Sequence, residues 1–187
     1  MRLFTAIDLP DEMIRKLDRL LSFLRPEAFI KWSPIDNLHI TIKFIGEWPP
    51  ERLPELEEAL NGLLPRDPFK IEISNLGWFP NERSPRVLWA GVHGESGLFE
   101  LARDTETRLA ALGIPVEERA FTAHLTLARI KNPVPLNQLR RKVEETQPAV
   151  MGEFEANQFC LFRSDPGSHA SIYRKLRAFQ FQKAMVA

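Results

Sequence analysis

The stretch LHITIKF at residues 38–44 and the stretch HLTLARI at residues 124–130 share one pattern, a histidine and a threonine two positions apart inside an apolar run. In a β-strand, successive side chains point to opposite faces. The pattern therefore predicts two strands, each with the histidine and threonine on one face and apolar residues on the other. Any account of the fold has to explain why one chain contains this arrangement twice.

The repeat extends beyond these strands at a constant spacing. His39 and His124 are 85 residues apart, and so are Phe69 and Phe154, which begin two further apolar runs. The same shift places the N-terminal strand and helix on a later strand and helix. We predict an α+β fold with two pseudo-symmetric lobes, each a mainly antiparallel β-sheet with helices on its outer face. Residues 1–187 form a single bilobal domain by internal duplication, with both motifs in a central cleft.

Composition restricts the classes of function. The chain is 44% hydrophobic and 27% charged, as in a soluble globular protein, and it has no apolar run long enough to span a membrane. The N-terminus lacks the features of a signal peptide, and the single cysteine, Cys160, is predicted to be a small buried hydrophobe. We expect a cytoplasmic monomer. Because 25 basic residues balance 25 acidic ones, any nucleic acid has to be recognised locally.

Strand alternation predicts which side chains face the cleft. It places His39, Thr41 and Lys43 on one face of the first strand, and His124 and Thr126 on the equivalent face of the second. A lone histidine on a strand is usually structural. Two histidines at matching positions of a repeat indicate a shared site.

These motifs carry a family resemblance. HITI at 39–42 and HLTL at 124–127 match the paired HxTx motifs of the two-histidine phosphoesterase superfamily. The chain resembles, over nearly its whole length, the bacterial and archaeal RNA 2′,3′-cyclic phosphodiesterases, often labelled 2′-5′ RNA ligases. The segments that carry this resemblance are MRLFTAIDLP, KWSPIDNLHITIKFIGEW, GWFPNERSPRVLWAGV, FTAHLTLARIK and PGSHASIYRKLRAF.

The residues support the same chemistry. Hydrolysis of a cyclic phosphodiester needs a base for the water, an acid for the leaving ribose oxygen and donors for the phosphoryl oxygens. Two histidines with ordinary pKa values of about 6.5 can act as acid and base, and Thr41 and Thr126 can donate hydrogen bonds. No metal or other cofactor is needed. The near-symmetric repeat leaves open which histidine is which; the resemblance implies that His39 is the proton donor to O3′ and His124 the proton acceptor, leaving a 2′-phosphate.

Candidates for substrate binding follow each motif. Arg129 can pair with a phosphate, but strict alternation places it opposite His124 unless a bulge or strand end intervenes; a surface ion pair is the alternative. Phe44 can stack on a base or pack in the core, and Lys43 can add positive charge to the cleft or remain solvated. Three more aromatic residues could flank a base or belong to the core: Trp32, Trp78 and Tyr173.

The other polar candidates have weaker claims. His93 and His169 lie in sequences that suggest turns, and no metal-ligand motif or nucleophile signature is present. The leading hypothesis is hydrolysis of RNA ends or nucleotides with a 2′,3′-cyclic phosphate, with 2′-5′ ligation as the possible reverse reaction. Two alternatives stay open: a non-catalytic module that binds nucleotides or RNA ends, and a related phosphodiesterase for a small cyclic nucleotide or an ADP-ribose cyclic phosphate.

Overall fold

The structure, a computed structural model, describes residues 1–183 and contains two β-sheets and four α-helices in that range. The elements in chain order are β1 (Arg2–Asp8), α1 (Asp11–Leu24), β2 (Lys31–Trp32), β3 (His39–Glu47), α2 (Leu53–Asn61), β4 (Phe69–Phe79), β5 (Val87–Gly94), α3 (Ser96–Ala110), β6 (His124–Arg129), α4 (Asn137–Glu145), β7 (Val150–Ala156), β8 (Gln158–Asp165) and β9 (Ile172–Gln180).

Every pairing between neighbouring strands is antiparallel. One sheet has the strand order β3-β1-β8-β9 and the other has the order β2-β6-β5-β4-β7. The first histidine motif begins β3 in one sheet, and the second begins β6 in the other. The predicted α+β class with two antiparallel sheets is confirmed.

The two repeats exchange their third strands. The 85-residue spacing relates β1, α1 and β3 to β5, α3 and β6, as predicted. However, β4 follows the first repeat in the chain and pairs with β5 of the second, while β8 follows the second repeat and pairs with β1 of the first. Each sheet is therefore built from strands of both repeats. Internal duplication stays a prediction.

The helices also cross between the repeats. The buried side of α1 carries Met13, Leu17, Leu21 and Leu24, and this helix packs against β7 of the other sheet, while α3 packs against β3. Burying a leucine side chain contributes about 1.5–3 kcal/mol. One hydrophobic cluster joins residues of both sheets and all four helices. These contacts fix the two sheets relative to each other, and with them the two motifs.

The helix α1 begins without a side-chain cap. Asp8 and Asp11 are residue types that often cap a helix, but Pro10 occupies the N-cap position, without a side-chain hydrogen bond. Asp8 instead ends β1 and accepts a hydrogen bond from Lys175 Nζ at 2.6 Å. Burial raises the pKa of Asp8, but the hydrogen bonds from Lys175 and Gln158 together with the charge of Lys175 outweigh it, and the pKa lies below its ordinary value.

Candidate active site

Both histidine motifs line one cleft between the sheets. The cleft has a volume of about 510 Å³, and its walls include His39, Thr41, His124 and Thr126. β3 and β6 are in contact, although they belong to different sheets. The structure therefore brings together the four residues that sequence analysis singled out as the catalytic set.

The backbone sets the tautomer of His39. Nδ1 lies 2.7 Å from the carbonyl oxygen of Asn37, and since a carbonyl only accepts, Nδ1 carries a proton. In the neutral imidazole, Nε2 is then an acceptor and takes a hydrogen bond from the Thr41 hydroxyl at 3.0 Å. The rings of Phe4 and Tyr173 lie 4.8 and 5.2 Å from the imidazole, measured between centroids. His39 is thus held in one orientation, with Nδ1 bound to the backbone and Nε2 on the side of Thr41.

His124 is held in the same way. Its Nδ1 donates to the carbonyl oxygen of Thr122 at 2.8 Å, again two residues earlier in the chain. Its ring is perpendicular to that of Phe79, with centroids 5.1 Å apart. Ser33 supports this strand because its hydroxyl donates to the carbonyl oxygen of Thr126 at 2.8 Å. In both histidines the backbone therefore binds Nδ1 and leaves Nε2 without a main-chain partner.

The electrostatic environment of His39 departs from that of an ordinary histidine. Burial lowers the pKa of His39, the Asn37 carbonyl acts in the opposite direction, and the charges of His124 and Arg129 lower the pKa further. Burial follows from the aromatic residues packed around the imidazole. The lowered pKa means that His39 gives up a proton more readily than a solvated imidazole.

A β-bulge follows the threonine in each motif and reverses the strand alternation. In β3, Thr41 and Lys43 are two positions apart but pair with adjacent residues of β1, so β3 contains one extra residue between them. In β6, Thr126 and Ala128 likewise pair with adjacent residues of β5. The next residue in each strand therefore returns to the cleft. These residues are Phe44, which is 63% exposed, and Arg129.

Two sequence-based expectations change because of the bulges. The prediction that Lys43 shares a face with His39 is wrong: Lys43 is only 6% exposed and its ammonium contacts Glu106 of α3 at 2.8 Å and the Pro115 carbonyl oxygen at 2.7 Å. Lys43 therefore does not line the cleft. The alternative that Phe44 packs in the core is also wrong, since its side chain is exposed to the cleft.

Other candidates are divided between the cleft and the rest of the molecule. Trp32 and Tyr173 line the cleft, whereas Trp78 packs against the hydrophobic core. His93 is exposed on β5, so the turn predicted there is wrong, and His169 lies in an exposed loop. Neither lines the cleft.

Cys160 is fully buried, as predicted. Burial and the nearby charge of Asp8 raise its pKa to about 12. The thiol is therefore protonated at neutral pH and has no nucleophilic character.

Sequence analysis missed three cations of the cleft. Arg2, Lys31 and Lys131 contribute to its walls, and no aspartate or glutamate within residues 1–183 does so. Lys131 follows Arg129 by two residues. If the alternation of β6 is continued past its bulge, Lys131 falls on the same side as Arg129, so its position could have been predicted. Lys31 reaches the cleft through the pairing of β2 with β6, which the sequence does not reveal.

Residues 1–183 contain neither a cluster of metal ligands nor a membrane-spanning helix. No group of three or more His, Cys, Asp or Glu side chains in this range is arranged to hold a metal ion. No helix in the same range is long and apolar enough to cross a membrane.

Comparison with known proteins agrees with the arrangement of the cleft. A family model described as LigT like Phosphoesterase matches residues 7–89 and 93–173, and each stretch contains one HxTx motif. A protein of Archaeoglobus fulgidus named RNA 2′,3′-cyclic phosphodiesterase is 37% identical over 182 residues, covering 96% of this chain and 100% of the relative. A Thermus thermophilus protein with the same name is 34% identical over 193 residues, covering 97% of this chain and 91% of the relative.

Solved structures show the same architecture. TT0787 of Thermus thermophilus superimposes with a TM-score of 0.81 at 32% identity, and E. coli LigT complexed with 3′-AMP superimposes with a TM-score of 0.78 at 27% identity. Each comparison covers 97% of this chain and 98% of the other. The likeness therefore extends over both sheets and both motifs.

Proposed function

The chain belongs to the LigT-like phosphoesterase family, and we propose that it hydrolyses 2′,3′-cyclic phosphate ends of RNA to 2′-phosphomonoesters without a metal ion. One observation carries the proposal: two imidazoles line one cleft, and the Nδ1 of each is fixed by a backbone carbonyl, which leaves two Nε2 atoms for proton transfer. The relatives named RNA 2′,3′-cyclic phosphodiesterase support the choice of substrate.

His124 acts as the general base. In its neutral form Nδ1 carries the proton, so Nε2 has a free lone pair. This atom takes a proton from a water molecule as the water oxygen forms a bond to phosphorus. The P–O3′ bond breaks on the opposite side, and the phosphate remains on O2′.

His39 acts as the general acid and donates its Nε2 proton to the departing O3′. Its lowered pKa makes the imidazolium a stronger acid but reduces the protonated fraction at neutral pH. The anionic cyclic phosphate raises the pKa of His39 when it binds, because the charges of His124 and Arg129 are then compensated. Substrate binding therefore prepares the acid for the step in which it is needed.

The remaining cleft residues bind the phosphate and the nucleoside. The hydroxyls of Thr41 and Thr126 donate to the non-bridging oxygens, for which Thr41 exchanges its hydrogen bond with His39 Nε2 for one with the substrate. Arg129 pairs with the phosphate, and Phe44 stacks on the base or ribose. The same site would form a 2′-5′ linkage when the 5′-hydroxyl of a second strand takes the place of water: His124 takes the hydroxyl proton, the 5′ oxygen bonds to phosphorus, the P–O3′ bond breaks, and O3′ takes the proton of His39.

The test is hydrolysis of a nucleoside 2′,3′-cyclic phosphate in excess EDTA, with the product isomer identified. We expect a bell-shaped pH dependence of kcat/KM, a 2′-phosphate product and a loss of about 10²–10⁴-fold in kcat for His39→Ala or for His124→Ala. His93→Ala is the matched control, because this exposed histidine lies outside the cleft. Undiminished turnover in either cleft variant, or turnover abolished by EDTA, would contradict the mechanism.

Two further measurements address the alternatives. Tight nucleotide binding by the unmutated protein without any turnover would favour a binding module. Faster hydrolysis of an ADP-ribose cyclic phosphate or of a 3′-5′ linkage than of a 2′,3′-cyclic phosphate end would assign the chain a different substrate within the same chemistry.

A further inference from the structure

The positive charge of the cleft is concentrated beyond the second motif. Three cationic side chains, Lys31, Arg129 and Lys131, lie on the wall formed by β2, β6 and the residues after β6. No carboxylate of residues 1–183 lines the cleft to balance them. The chain as a whole has equal numbers of acidic and basic residues, so this local excess results from the fold.

Strand pairing sets the spacing of these cations. Lys31 of β2 lies directly opposite Arg129 of β6 in the antiparallel ladder, where paired Cα atoms are about 4.5–5.5 Å apart. Lys131 follows Arg129 by two residues, just beyond the end of β6, and lines the same cleft. Opposite residues of an antiparallel pair point to the same face. The three cations therefore form one continuous group.

None of the three takes part in an ion pair found within residues 1–183. Some other exposed cations of the chain do, for example Lys16 with Glu12 and Lys175 with Asp8. Like charges at this spacing repel each other. An anionic ligand along this wall would remove the repulsion.

The reacting phosphate accounts for only part of this charge. Arg129 lines the cleft together with both histidines, and its charge contributes to the lowered pKa of His39. In the proposed function, a single phosphate group contacts this arginine and both histidines. Arg129 then balances the charge of that phosphate, and the charges of Lys31 and Lys131 remain in excess in the cleft.

We propose that Lys31 and Lys131 form a second phosphate subsite, which binds the phosphodiester preceding the terminal nucleotide of an RNA strand. The inference rests on the proposed function and extends it, because the preferred substrate becomes an oligonucleotide end and not a mononucleoside cyclic phosphate. The strand enters over β2 and the end of β6, and it reaches the histidines past Arg129.

Salt dependence gives the expected size of the effect. Each phosphate contact to a single strand contributes a slope of about −0.7 to log K against log salt concentration. A dinucleotide with a 2′-phosphate contains one more phosphate than a nucleoside 2′-phosphate. We expect its slope to be steeper by about 0.7, and its affinity to be higher by about tenfold.

The experiment measures binding of these two 2′-phosphate compounds to the full chain between about 50 and 200 mM KCl, the range in which counterion release is readily resolved. Lys31→Gln and Lys131→Gln should each weaken binding of the dinucleotide and flatten its slope, with nucleoside 2′-phosphate binding unchanged. Lys131→Arg keeps the charge and should behave as the unmutated protein. Lys70→Gln is the matched control, because Lys70 is exposed on β4 and does not line the cleft.

Both ligands are products of the proposed reaction, so their binding can be measured without turnover. A failure of the second subsite can therefore be distinguished from a failure of the proposed hydrolysis. Equal slopes and equal affinities for the two compounds would overturn the second subsite, whether or not the protein hydrolyses cyclic phosphates. A flattened slope in Arg2→Gln, with no change in either lysine variant, would place the strand on the opposite wall and would also overturn it. Absence of turnover with the expected binding would overturn only the proposed hydrolysis.

Discussion

Replacing Lys43 should lower the stability of the protein and leave its catalysis unchanged. The Lys43 ammonium lies 2.8 and 2.9 Å from the two carboxylate oxygens of Glu106 and 2.7 Å from the carbonyl oxygen of Pro115. These contacts join β3 of one sheet to α3, which follows β5 of the other. Lys43→Met keeps most of the side-chain volume but removes every donor, so Glu106 and Pro115 lose their partner together.

The magnitude follows from the burial of the pair. Breaking a fully buried ion pair by removing one partner costs about 3–5 kcal/mol. The Glu106 side chain is 25% exposed, so water partly solvates the remaining carboxylate and the expected loss falls to about 2–3 kcal/mol. For a domain of this size, such a loss lowers Tm by about 5–10 °C.

Urea and thermal denaturation measure the loss, and hydrolysis of a nucleoside 2′,3′-cyclic phosphate provides the second readout. The double variant Lys43→Met with Glu106→Leu should recover most of the stability, because no unpaired charge remains. The reasoning would be refuted if Lys43→Met lowered kcat/KM tenfold while Tm stayed within about 1 °C of the unmutated protein. That result would place the ammonium at the substrate.

Four other predictions concern the cleft and the sheets. Phe44→Ala should lower kcat/KM about tenfold with little change in Tm, since stacking contributes about 1–3 kcal/mol and the ring is 63% exposed. The pKa of His39 is lowered in the folded state, so the unfolded chain binds more protons below about pH 6.5. The free energy of unfolding, measured by urea denaturation, should therefore fall from pH 7 to pH 5, and it should fall less in His39→Asn. Gly77→Ala should destabilise the protein by at least about 1–3 kcal/mol in urea denaturation, because its methyl group would overlap the indole of Trp89. Cys160 should resist iodoacetamide at pH 8 in the folded protein and react after denaturation.

Much of the site could be predicted because the direction of a side chain on a strand depends only on its neighbours in the sequence. A histidine and a threonine two positions apart share a strand face whatever the strand pairs with, so the structure brings His39, Thr41, His124 and Thr126 to one cleft. The 85-residue spacing likewise revealed equivalent strands before any pairing was known. Lys43 was misplaced because a bulge depends on the register with the neighbouring strand, and that register involves β1, more than 30 residues earlier in the chain.

The sequence by itself determined the chemistry that the protein can offer, which is two imidazoles and two hydroxyls repeated on equivalent strands. Only the tertiary structure decided that the repeats exchange β4 and β8, that Phe44 and Arg129 turn into the cleft, and that β2 adds Lys31 opposite Arg129. It also lowered the pKa of His39, because aromatic residues bury the imidazole and nearby positive charges disfavour its protonated form. The division has a physical cause: side-chain alternation is a property of neighbouring residues, whereas register, burial and electrostatic environment depend on residues far apart in the chain.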